Sequence, residues 1–369
     1  MTKYNKICNR CVMDSSVKDI IFYDLGCNFC QNGLNRIKNE IIKPHNRERE
    51  LKKLKSTIST EKKYDCLIGI SGGVDSTYVA YLVKKKLKLN PLAVHLDNGW
   101  NSKKSTKNIY DILKKLDIDL ITHVIDWKEF RGIQQALLKS NIQNFEIATD
   151  HAILATMIKT SLKYDIKYIL HGGNVATESI MPASWMEPNY DFSLIKKIVK
   201  KYSKVKIKTL PRVNIATLFF ALFIKKIKYI PLLNYVNYDR DEAIKILKNE
   251  LGYEPYGEKH FESIVTKFFQ SYLLPKKFNI DKRRAHLSSM IISNQITREE
   301  ALKILAEPYY KDKVIENEEK DYFIKKMKIS NDELDEIINN KNKLTVKGNL
   351  YYLQNSLLKY RGIIRKLIK

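Results

Sequence analysis

Apolar and polar positions divide the chain into two regimes. From Tyr64 to Asn174, short apolar runs alternate with segments of helical period. Cys66 to Ile70, Pro91 to Leu96, Leu120 to Ile125 and Lys167 to Leu170 read as strands, each aliphatic or β-branched and each closed by turn residues. Between them Thr77 to Leu87, Asn108 to Leu116, Phe130 to Lys139 and Asp150 to Lys163 carry helical spacing. This alternation predicts an α/β fold with a doubly wound parallel sheet. Ligands of such sheets lie beyond the carboxyl ends of the strands. Four polar motifs fall there: SGGVDS, HLDNGW, VIDW and HGGN.

Outside this stretch the pattern changes. Residues 34–62 are charged and helical in period, a connector. Glu178 to Tyr190 carries two prolines and three large anchors and reads as an ordered loop. Residues 194–250 read as mainly helical and Lys-rich, and the apolar run from Ile215 to Ile224 reads as a buried helix, with a membrane-surface role as the lesser reading. It is too short to span a bilayer. An amphipathic helix is expected to end at Leu274-Pro275. Thr297 and Glu300 form a capping box, and from Asn331 the tail reads as a helical hairpin that breaks near Gly348. The expected units are a module at 1–33, the connector at 34–62, an α/β domain at 63–190 and a mainly helical region at 191–369.

A chain of 369 residues is ample for a buried core. The first residues, MTKYNKICNRC, lack an apolar core, so no signal peptide is expected. With no membrane span either, a cytoplasmic protein is expected. The net charge of +25 favours anionic partners but does not choose among ATP, a nucleotide sugar, RNA and anionic lipid.

The motifs narrow the chemistry. A strand, a Gly-rich turn and a helix start aim backbone N–H groups at a phosphate. Gly72 and Gly73 allow close approach, and the hydroxyls of Ser71, Ser76 and Thr77 are candidate donors, with Ser76 or Thr77 also a candidate helix cap. Asp75 would repel a phosphate unless a cation lies between them, so Asp75 is read as a Mg2+ ligand with a catalytic role. At the ends of later strands, His95 and Asp97 and the backbone or side chains of Gly172, Gly173 and Asn174 are candidate nucleotide contacts. Downstream, Lys259, His260, Lys282 and Arg283 are candidate catalytic cations for the charge of departing pyrophosphate. Arg283 and Arg284 point apart on a helix, so one of them is expected to reach the site. Near the start, Cys8-x2-Cys11 and Cys27-x2-Cys30 have the spacing of a structural zinc site. Cys66, inside a strand, reads as an inert buried thiol.

The SGGVDS string resembles the PP-loop of the ATP pyrophosphatases, which cleave ATP between the α- and β-phosphates. Over Cys8 to about Tyr310 the chain also resembles the N-acetyl sugar amidotransferases of bacterial surface-polysaccharide and nonulosonic acid biosynthesis. The stretches that carry this are CNRCVMDSS, CNFC, SGGVDST, HGGNVATESIMPASW, NYVNYDRDEA, YGEKHFES and LPKKFNIDKRRAHLSSMI. The resemblance implies a PP-loop sheet behind a zinc ribbon. It also implies an ATP- and Mg2+-dependent conversion of an acetamido sugar to an acetamidino sugar in lipopolysaccharide or nonulosonate biosynthesis. ATP would adenylate the amide oxygen and ammonia would displace AMP. The ammonia is expected from a separate glutaminase subunit, with a cyclase-like second partner. A nucleic acid partner is not expected. The other reading is a tRNA-modifying ATP pyrophosphatase with a zinc ribbon. The sequence has no cysteine after Cys66, which argues against sulfur transfer.

Overall fold

The computed structural model describes residues 6–185, 190–255, 261–342 and 344–349. A two-stranded antiparallel hairpin, β1 (Phe22–Tyr23) and β2 (Gly26–Cys27), opens the chain. The main sheet has five parallel strands: β3 (Cys66–Gly69), β4 (Pro91–Asp97), β5 (Asp119–Val124), β6 (Tyr168–His171) and β7 (Lys228–Pro231). Their order is β5-β4-β3-β6-β7. The chain winds outward from β3 to β5, then returns to add β6 and β7 on the other side. The switch therefore falls between β3 and β6, and a crevice opens where two neighbouring strands send their chains opposite ways.

Alternation along the strands divides the core. Cys66, Ile68, Ile70 and Ala93 pack with the helices Val74–Tyr81, Lys103–Leu116 and Arg240–Leu251. Leu67, Leu92 and Val94 pack with Ala155 and Ile158 of the helix Ile147–Lys163 on the opposite face. The layers are doubly wound, as the period-2 and period-3.6 patterns require.

Two expectations are corrected. The segment read as mainly helical supplies β7, so the sheet domain runs past the boundary expected at residue 190. The helix Ile215–Phe219 and its π-helical continuation Phe220–Ile224 lie on the surface instead of in the core. Among the described residues no helix is long and apolar enough to cross a membrane.

Aromatic side chains dock the helical region on the sheet domain, Trp100 and Phe145 among them. Trp100, from the turn after β4, is fully buried. It stacks on Phe323 at 6.0 Å, meets Trp127 edge-on at 5.3 Å, and donates from Nε1 to Gln134 Oε1 at 2.7 Å. The Thr297–Glu300 capping box forms as expected. Asn331 begins a helix capped by Ser330, and the second helix expected after Gly348 falls outside the described residues.

One helix runs across the boundary expected at residue 33. Cys27 caps the helix Asn28–Glu40, and Cys30 lies in its first turn, so the cysteine module and the connector share one helix.

Candidate active site

The turn after β3 is tied into a cradle by its own hydroxyls. Gly73 N–H donates to Ser71 Oγ at 3.2 Å, Ser71 N–H donates to Ser76 Oγ at 3.2 Å, and Ser76 Oγ–H donates to the Gly73 carbonyl at 3.2 Å. Gly72 sits at φ +78°, where a Cβ would also come within 2.9 Å of Ser105 Cα. Only glycine suits that backbone and that contact. The helix Val74–Tyr81 starts at Gly73 with no side-chain cap. This differs from the expected Ser76 or Thr77 cap. Its first N–H groups are left for an anion, which suits a phosphate. Thr77 is buried, with its hydroxyl unpaired among the described residues.

The HGGN turn after β6 lies directly against this cradle. A Cβ on Gly172 would come within 2.8 Å of the Asp75 carbonyl carbon. Gly173 N–H donates to His171 Nδ1 at 3.1 Å. Burial pushes the His171 imidazole below its usual range against the pull of Glu178. Asn174 is buried, and its Oδ1 accepts from Thr177 N–H at 2.9 Å as the cap of the next helix. Its side chain is thus occupied in holding the turn. Asp75, in the first turn of the loop helix, accepts a short hydrogen bond from Tyr238 OH. Mg2+ suits a carboxylate so placed at the mouth of a phosphate cradle.

A cavity of about 470 Å3 opens beside the cradle, a size suited to a small ligand. Ser71 and Ser76 form one wall, and Ile70, Val94, Leu96, Ile153 and Met157 supply apolar surface. Met181 and Trp185 of the loop after HGGN also line it. His95 lines it as a fixed neutral ring. Its Nδ1–H donates to the Ile70 carbonyl at 2.9 Å, its Nε2 accepts from Asn101 at 2.9 Å, and burial lowers its pKa. Asp97 accepts from Gly99 N–H at 2.8 Å and holds the turn rather than the cavity wall.

The charged lining is only partly legible in the sequence. Glu146, Asp150, Glu262 and Lys282 converge on the cavity. Glu262 Oε1 lies 3.5 Å from Ser71 Oγ, a second carboxylate at the cradle. Glu146 accepts from Thr266 OH. Its carboxyl is pushed up to about 7, chiefly by burial and then by Asp150, while Thr266 and Lys282 pull the other way. Burial raises Asp150 also. The sequence signal for this pair was two acids four residues apart at a helix start. That arrangement repels on a helix and calls for another reason to exist.

The downstream basic residues separate. Lys282 is the one cation lining the cavity among the described residues. Arg283 does not line it, contrary to the expected catalytic placement. It binds Asp281 through both ends of its guanidinium, donates to the carbonyls of Ile304 and Glu307, and lies over the Tyr309 ring at 4.0 Å. Arg284 is equally remote, paired with buried Asp14 at 3.1 Å. Lys259 and His260 lie outside the described residues.

Cys8, Cys11, Cys27 and Cys30 are buried, and their Sγ atoms lie within 4.8 Å of one another. A tetrahedron with Zn–S arms of 2.3 Å has edges of about 3.8 Å. The Cys8–Cys30 and Cys11–Cys27 separations are 3.9 and 3.8 Å. Backbone N–H groups of Arg10 and Cys11 point at Cys8 Sγ, and that of Cys27 points at Cys30 Sγ, as support for thiolates. The donor set fits zinc, with no position left open for water. The module is bound to the helical region. Arg298 donates to the carbonyls of Cys8 and Cys11, and Val12 N–H donates to Ser288 Oγ at 3.1 Å. Cys66 is buried in β3, where desolvation raises its pKa, in keeping with an inert thiol.

Residues 47–204 match the NAD synthase family model. That stretch carries the SGGVDS cradle and four of the five strands of the parallel sheet. Residues 262–355 match the model described as LPS biosynthesis protein WbpG-like, C-terminal domain. The stretch similar to the WbpG-like model contributes Glu262 and Lys282 to the cavity.

Among curated proteins, an uncharacterized protein of Methanocaldococcus jannaschii is 35% identical over 118 residues, 31% of this chain and 41% of that protein. The glutamine-hydrolyzing GMP synthase of Helicobacter pylori is 37% identical over 103 residues, 27% of this chain and 19% of that protein. The chain therefore matches less than half the length of either. Among solved structures, NMN synthetase from Francisella tularensis aligns over 62% of this chain and 92% of its own, at 16% identity and a TM-score of 0.29. The NH3-dependent NAD synthetase from Campylobacter jejuni aligns over 61% and 99%, at 16% identity and a TM-score of 0.28.

Proposed function

We propose that the chain is an ATP-dependent amidotransferase that converts the acetamido group of a sugar to an acetamidino group in bacterial surface glycan biosynthesis. The observation that carries this reading is the cavity itself. A PP-loop cradle and a buried carboxyl that titrates near neutrality share one enclosure, and the WbpG-like domain closes it. The matches to the NAD synthase model and to the glutamine-hydrolyzing GMP synthase lend support, since the latter name couples glutamine hydrolysis, a source of ammonia, to a synthesis.

In this reading Ser71, Gly72, Gly73, Ser76 and the first N–H groups of the following helix hold the phosphates of ATP. Mg2+ would be held by Asp75, with Glu262 nearby, and would offset charge on the phosphates. The sugar amide oxygen attacks the α-phosphorus, its bond to phosphorus forms, and pyrophosphate leaves. Lys282 stabilises the negative charge in the cavity. Ammonia then adds to the imidate carbon, the C–O bond breaks, and AMP departs with that oxygen. The attacking nitrogen must shed a proton. Glu146, with a pKa of about 7, is the group placed to take it. Met181 and Trp185 present the surface on which the acceptor would lie. A glutaminase subunit, with a cyclase-like companion, would supply the ammonia.

The test is incubation with ATP, Mg2+, ammonium and a panel of acetamido sugars, both nucleotide-linked and nonulosonate. AMP should form together with a product about one mass unit lighter than its sugar, because a carbonyl oxygen becomes NH. AMP formation that requires tRNA and leaves every sugar unchanged would overturn the proposal in favour of a tRNA-modifying enzyme.

A further inference from the structure

The surface helix at residues 215–224 serves neither the cavity nor the cysteine module. Its Ile215, Phe219, Phe220, Leu222, Phe223 and Ile224 are between 41 and 65% exposed. Such contiguous large apolar groups on a surface mark a contact with something else. Leu218 and Ala221 alone of this helix join the core cluster that covers Leu67 and Leu92. Phe219 and Phe223, one turn apart, stack at 4.9 Å on the outside.

The charge around the helix identifies what covers it. From Phe192 to Tyr238 the chain carries eleven Lys and Arg residues and no Asp or Glu. Lys206, Lys208, Lys225, Lys226 and Lys228 are exposed on the segments that enter and leave the helix. Lys225 has Asp165 at 3.9 Å, itself well exposed. Exposed aromatic and aliphatic side chains flanked along the chain by exposed lysines match the two layers of an anionic bilayer face: acyl boundary inside, phosphates outside. At ten residues the helix is about 15 Å long, so it can lie in that face but cannot cross it.

We propose that residues 215–224 dock this chain on an anionic lipid surface. The phenylalanines enter the interfacial layer and the lysines meet lipid phosphates. This inference stands apart from the reaction proposed above, and its test needs no ATP or sugar.

The full chain is sedimented with phosphatidylcholine vesicles, with and without about a third phosphatidylglycerol, at low and high salt. Binding is expected to the anionic vesicles, weakening as salt rises. Phe219→Ser/Phe223→Ser should reduce partitioning at least about tenfold. Both positions are exposed, and an unchanged thermal transition would show that the fold persists. Phe219→Trp gives a second readout: its emission should shift to the blue with anionic vesicles and be quenched by brominated lipid. Absence of binding to anionic vesicles overturns the proposal. So does binding that the double phenylalanine variant retains, since charge alone would then account for it. A concentration-dependent dimer that the same variant dissolves, with no vesicle binding by the parent chain, overturns it in favour of a contact between copies.

Discussion

Glu146 offers a test that links stability to chemistry. Its carboxyl sits at about 7 in the folded chain against 4.5 when free. Between those values the unfolded chain has released a proton that the folded chain still holds. Stability attached to this group is therefore full below pH 4.5, falls as pH rises through 4.5 to 7, and levels off above. The displacement corresponds to about 3 kcal/mol at 1.36 kcal/mol per pH unit. Glu146→Gln keeps an oxygen to accept from Thr266 but carries no charge, so it escapes this loss. Urea denaturation of both chains at pH 4.5 and pH 8.5 separates the effects. The two should be nearly equal at pH 4.5, and Glu146→Gln should be more stable by about 3 kcal/mol at pH 8.5. The same variant should lower ammonia-dependent turnover by about 10²–10⁴-fold and lose the rise of rate through pH 7. A stability gap of the same size at both pH values would refute the cavity electrostatics described for Glu146. Turnover with an unchanged pH profile would refute its role as base.

Other outcomes follow from single contacts. Gly172→Ala places a Cβ 2.8 Å from the Asp75 carbonyl carbon; AMP formation should fall about 100-fold, as for a displaced catalytic group, and undiminished activity would show that the two turns need not touch. Tyr238→Phe removes the hydroxyl that donates to Asp75; the Mg2+ concentration for half-maximal AMP formation should shift about tenfold, the scale of a lost hydrogen bond to a charged group, and an unchanged Mg2+ dependence would separate Asp75 from the metal. Metal analysis should find about one zinc per chain. Arg298→Ala, which loses the donors to the Cys8 and Cys11 carbonyls, should release zinc faster to a chromogenic chelator, and release at the parent rate would show that the module holds its metal unaided.

The sheet was readable because its strands are aliphatic runs of the right length, and periodicity placed four of the five within a residue or two of their observed ends. β7 escaped because Lys228–Pro231 lies at the sheet edge, where one side needs no ladder partner and lysine is tolerated. The run at 215–224 misled for a related reason: apolar composition reports what avoids water, and a protein core is only one such place. For the site, SGGVDS was legible because glycine and serine there answer a local backbone need. Glu146 and Asp150 were not, because their meaning arises when a helix from one layer meets Glu262 and Lys282 from more than a hundred residues later. Arg283 and Lys282 are neighbours with opposite fates, since adjacent residues on a helix leave it in different directions. Motif spacing cannot say which one faces the cavity.

The tie between the cysteine module and Arg284, Ser288 and Arg298 has a bearing on how the chain is made. About 250 residues separate Cys30 from Arg284, so at synthesis rates of roughly 5–20 residues per second the module waits about 13–50 seconds for its docking partners. During that interval four thiols stand close together with nothing else to hold them. Zinc held by the four thiols at that stage would protect them from oxidation until Arg298 arrives to close over the Cys8 and Cys11 carbonyls. Scarce zinc would therefore show itself first as chains that fail to mature, rather than as mature chains of altered behaviour.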